Sequence, residues 1–115
     1  MAKYEKNITG NFHHILNSLH NSVMQGSLSA SFEDASDYSC GDFRCAVRVY
    51  ERYSAIGNGR VTMSLTLLEA DGQIRLSAIT SGGSQAVFFK VNTLGAESFL
   101  DTIRDTVERF ALGAH

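Results

Sequence analysis

Apolar positions change their period along the chain. After Asn11 they fall at Phe12, Ile15, Leu16, Leu19 and Val23, the single stripe of an amphipathic helix. Asn11 offers a capping oxygen and Gly26 a stop, which predicts a helix over 12–25. Residues 3–9 precede it as a short strand, ended by Gly10-Asn11. From residue 27 the period becomes two. Residues 27–34 alternate small polar with apolar side chains, the pattern of a half-buried strand. A loop over 37–42, containing Cys40-Gly41, leads to a strand over 43–54. There Phe43, Cys45, Val47 and Val49 are read as inward, with Arg44, Ala46, Arg48, Tyr50 and Arg52 opposite. Beyond a turn at Gly57-Asn58-Gly59, the next core face is Val61, Met63, Leu65 and Leu67, continued after the hairpin signal Asp71-Gly72 by Ile74, Leu76 and Ala78. Residues 86–91 are read as a last strand, and 94–110 as a helix striped by Phe99, Ile103, Val107 and Phe110.

The order is β-α-β-β-β-β-β-α. Consecutive hairpins imply an antiparallel meander, so the expected fold is α+β. It is a two-layer sandwich with an N-terminal and a C-terminal helix on one sheet face, a single domain over 1–115.

Three stretches carry a resemblance: Ser29-Ala30-Ser31-Phe32-Glu33-Asp34, the run from Arg44 to Tyr53, and the run from Ser77 to Lys90. They resemble a family of short uncharacterised bacterial proteins classed as a domain of unknown function. The resemblance implies a bacterial, cytoplasmic, single-domain protein and brings no activity, cofactor or site residue with it.

Charge and composition narrow the classes further. Ten Lys and Arg stand against twelve Asp and Glu, for a net charge of −2. Nucleic-acid binding draws most of its affinity from neutralised phosphates, so this balance speaks against it. No apolar run reaches the length of a membrane span, and no signal peptide opens the chain. The expected location is cytoplasmic, where Cys40 and Cys45 stay free thiols.

Candidate chemistry is sparse. Arg44, Arg48 and Arg52 recur every fourth residue on one strand face, each ~13 Å from the next. With Ser64 and Arg75 from neighbouring strands they form the candidate ligand-binding set, since arginine forks match carboxylate and phosphate oxygens. The plainer alternative is a solvated face with cross-strand ion pairs. Phe88 and Phe89 are adjacent on the expected last strand, so one of them points away from the core and marks an oligomer edge or ligand wall. Cys40 lies near Asp42 and Arg44 but lacks any C-x-x-C partner, and His13 and His20 sit ~10 Å apart along their helix, too far to share a metal. Ser81-Gly82-Gly83-Ser84 reads as a turn. No metal site, cofactor or catalytic set emerges. The expectation is a non-enzymatic, self-associating binding module for a small anionic or amphipathic ligand or a protein partner. The alternative is an enzyme with its site on the polar sheet face or the Cys40 loop.

Overall fold

A computed structural model describes residues 1–53, 59–82 and 89–111, with the backbone alone for 89–97. The elements are β1 (Ala2–Ile8), α1 (Phe12–Gly26), β2 (Ser31–Cys40), β3 (Phe43–Tyr53), β4 (Arg60–Ala70), β5 (Gln73–Gly82) and α2 (Phe89–Phe110). All pairings are antiparallel in one open sheet of order β1-β5-β4-β3-β2. The α+β class is the expected one.

The helical stripe of α1 is buried at every expected position: Phe12, Ile15, Leu16, Leu19 and Val23. Asn11 caps it, its side-chain oxygen accepting the His14 N–H at 3.0 Å. Gly26 ends the helix from inside and Ser27 caps it. Here α1 meets α2 closely: a Cβ on Gly26 would lie 3.0 Å from Thr102 Cβ, and the Ser22 and Thr106 hydroxyls hydrogen-bond one turn away. Under the helices lie Val61, Met63, Leu65 and Leu67 of β4 and Ile74, Leu76 and Ala78 of β5, all buried as expected. From above, α2 adds Phe99, Leu100, Ile103 and Val107. Each large side chain so buried contributes roughly 1.5–3 kcal/mol.

Three expectations change. The first concerns β3. Its buried residues are Ala46 and Tyr50, not Val47 and Val49. The register sets Ala46 opposite Leu67 and Tyr50 opposite Met63, which places the arginine face under the helices. Val47 and Val49 pair with Thr66 and Ser64 on the open face. The second concerns 37–42, which is no loop. Asp37 pairs with Ala46 and Tyr38 with Cys45, so the β2–β3 ladder runs out to a tight tip at Gly41-Asp42, where Gly41 takes φ 58°. Every residue of β2 is exposed, so the strand shows no buried face for a period-two pattern to mark. The third concerns 86–91: Phe89, Lys90 and Val91 open α2, five residues before its expected start, and 86–88 lie outside the described residues. A short apolar run does not distinguish strand from helix by period.

The helical layer is offset on the sheet. Helix α2 packs on β1, β5 and β4, and α1 packs on α2 and β4. Strand β2 lies at the edge of the sheet, exposed along its whole length.

Candidate functional site

The offset leaves a cleft of about 380 Å³ between the first turns of α1 and the outer half of the β2–β3 hairpin. Phe12 and Leu16, both buried, form its apolar wall, with His13 at the rim. Asp37, Ser39, Arg44 and Arg48 face them from the hairpin, and Tyr38 and Cys45 complete the border. No acidic residue occupies the first turn of α1.

Arg48 is the best-held cation of the cleft. Its side chain is 16 % exposed, and it donates Nη1 to Asp37 Oδ1 at 2.7 Å and Nη2 to Asp37 Oδ2 at 3.3 Å. Nη1 also donates to the Val47 carbonyl at 3.0 Å. Arg44 is looser: its Nε lies 3.9 Å from Glu69 Oε1, and about half its side chain is in water.

The remaining members of the expected set go elsewhere. Arg52 shares the face of Arg44 and Arg48 but lies beneath α2, its guanidinium carbon 4.7 Å from the Phe99 ring centroid and Nη2 donating to Ser98 Oγ at 2.8 Å. Its Nε is buried and has no partner among the described residues. Burial pulls its pKa below the ordinary arginine value, and Asp101 partly opposes this. Arg75 and Ser64 lie on the opposite, open face of the sheet; Arg75 donates to Asn7 Oδ1 at 3.0 Å and reaches Glu5 at 3.5 Å. The structure therefore unites Arg44 with Arg48 and separates both from Arg52, Arg75 and Ser64. Phe88 lies outside the described residues, and Phe89 is described only as the first residue of α2.

The sequence pattern places Phe12 and Leu16 only in the core stripe and Asp37 in a loop, and gives His13 no role. The available signal was the acid at 37 opposite a four-residue arginine repeat, which a hairpin centred on Gly41-Asp42 brings into diagonal contact. His20, one turn beyond Leu16 on α1, also touches the sheet. Its Nδ1 lies 2.9 Å from the Tyr50 hydroxyl, and the His20, Phe32 and Tyr50 rings meet edge-on or tilted with centroids 5.5–5.8 Å apart. Burial raises the Tyr50 hydroxyl to a pKa of about 12, against the opposing pull of Arg48.

Cys40 is exposed at the end of β2, opposite Phe43, and Cys45 is half-buried; both are free thiols. Among the described residues no base hydrogen-bonds either one, and no group of three His, Cys, Asp or Glu side chains could hold a metal ion. None of the described helices is long and apolar enough to cross a membrane.

Residues 1–111 match a family of unknown function (DUF6054). No curated protein and no solved structure matches the chain.

Proposed function

The chain belongs to the DUF6054 family, and from that premise we propose that it is a non-enzymatic binding module whose α1–hairpin cleft takes a small amphipathic anion. One observation carries the reading: a largely buried arginine fork, Arg48, faces the apolar wall of Phe12 and Leu16 across an open cleft. A carboxylate or phosphate would engage Arg48, with Arg44 and Ser39 as further donors, while an alkyl or aryl group lies along Phe12 and Leu16. Such pockets are mostly apolar and use a few polar groups to orient the ligand. The two free thiols support a cytoplasmic setting for this module.

Calorimetric titration with octanoate, and with octanol as the uncharged control, tests the reading. Octanoate is expected to bind and octanol to bind at least tenfold more weakly. Arg48→Met should weaken octanoate at least tenfold, the value of one charge-assisted hydrogen bond at ~1.5–3 kcal/mol. Arg75→Met, on the opposite face, should leave affinity unchanged. Equal losses in the two variants, or equal binding of octanol, would sink the proposal.

A further inference from the structure

The sheet face turned away from the helices is unlike an ordinary solvated face. The register aligns three rows across it. Lys3, Ile79, Ser64, Val49 and Asp34 form one. Glu5, Ser77, Thr66, Val47 and Ser36 form the next, and Asn7, Arg75, Leu68, Cys45 and Tyr38 the third. On the three inner strands these rows hold nine residues, of which Arg75 alone is charged, at a corner. Water-facing strands usually carry long charged side chains, whereas the centre of an interface is depleted of them.

The face also has relief. Ile79 stands out from it, 40 % exposed. Across β4, between β3 and β2, lies a dent of about 100 Å³ lined by Val47, Val49, Asp34, Ala35 and Ser36. Knob and dent are on opposite sides of the central strand and in the same row.

We infer that this face is a two-fold interface between two copies of the chain. An axis parallel to β4, between the facing sheets, carries each copy's β5 over the partner's β3 and each β1 over the partner's β2. Ile79 of each copy then enters the dent above Val49 of the other. Lys3 of each copy comes over the other's Asp34, opposite in charge and both exposed. Ser64 and Thr66 meet their own counterparts on the axis. The alternative axis, across the strands, fails: it sets Ile79 on Arg75 and leaves the dent empty. Stacked sheets lie about 10 Å apart and cross at about 30°, a rotation that displaces the edge strands by only some 5 Å, within the reach of a lysine. Five strands at about 4.8 Å and three rows at about 6.7 Å give roughly 480 Å² a side, or about 1,000 Å² in all, at the low end of specific interfaces.

Sedimentation equilibrium of the full chain, taken to about 100 μM, is the test. At that concentration a pair with a Kd of about 10 μM or tighter is mostly formed. The wild type should show twice the 12.6 kDa chain mass. Ile79→Asp should give single chains, while Ile79→Leu keeps the pair; circular dichroism melting verifies that both are folded. Lys3→Glu and Asp34→Lys should each weaken association about two- to fivefold, and the double exchange should restore it. The exchange decides the matter even if Ile79→Asp fails to fold. A wild-type chain of single mass overturns the inference, as does a pair that survives Ile79→Asp or a double exchange that does not restore association.

Discussion

Asp37 holds the place that any bound anion must take. It grips both terminal nitrogens of Arg48, yet the two partners are unequal: the aspartate side chain is 65 % exposed and the arginine only 16 %. The arginine is therefore fixed and the carboxylate is free to swing into water. An ion pair with one exposed member is worth roughly 0.5–1 kcal/mol, and a ligand carboxylate that displaces Asp37 forfeits that amount. Asp37→Asn keeps the shape and removes the charge. Octanoate affinity should then rise about two- to fivefold, the same 0.5–1 kcal/mol read as an equilibrium constant. The fold should lose a similar amount. For 115 residues the entropy of unfolding makes 1 kcal/mol worth about 4 °C, so Tm should fall by about 2–4 °C. The opposite signs are diagnostic. Calorimetric Kd values and melting curves on the same samples would show tighter binding in a less stable protein. A Kd that is unchanged or weaker in Asp37→Asn refutes the competition argument. In the Asp37→Asn/Arg48→Met double variant the gain should vanish, because it acts only through Arg48.

Two further outcomes follow from backbone and burial. Gly72 and Gly82 both have positive φ, 75° and 102°, but a Cβ at Gly72 meets open space while one at Gly82 falls 2.6 Å from the Arg60 carbonyl oxygen. Gly72→Ala should cost about 1 kcal/mol of backbone strain and Gly82→Ala about 2–4 kcal/mol, and equal Tm losses would show that the Arg60 contact is absent. Burial, the largest cause at both Tyr4 and Tyr50, raises each hydroxyl from 10.0 to about 12. Because the folded value exceeds the unfolded one, this stabilising contribution is complete below pH 10 and fades as pH climbs toward 12. Tyrosinate absorbance should show two of the four tyrosines ionising near pH 12, and Tyr50→Phe should flatten the alkaline decline in stability.

The elements most legible in the sequence were those with one wet and one dry side. All five stripe residues of α1 are buried, as are the expected core faces of β4 and β5. Strand β3 was legible as a strand but not in orientation. Alternation separates two faces without saying which is inside; that depends on the parity of the β3–β4 connection, here fixed by Tyr53 pairing with Arg60. The inversion misassembled the candidate site. Arg44 and Arg48 lie on one cleft, whereas Ser64 and Arg75 lie on the other side of the sheet. Strand β2 was half hidden because an edge strand exposed on both faces need not alternate. Asp37, the ion-pair partner of Arg48, was hidden with it.

The pairing of β1 with β5 orders events in time as well as in space. Strands β2 to β5 are joined through neighbours in the chain, but β1 joins Ile8 to Ile74 and Ala2 to Thr80. Closing that loop of about 65 residues costs roughly 3 kcal/mol more than closing a two-residue hairpin. During synthesis β1 is thus made well before the strand it pairs with. It leaves the ribosome with no edge to join, and waits until most of the chain has followed and the hairpins behind it have formed. Until then the open side of β5 is a vacant edge, able to accept another nascent chain's β1 as well as its own. Strand β1 is therefore where crowded synthesis would exchange segments between copies, and where a slow step in folding would be found.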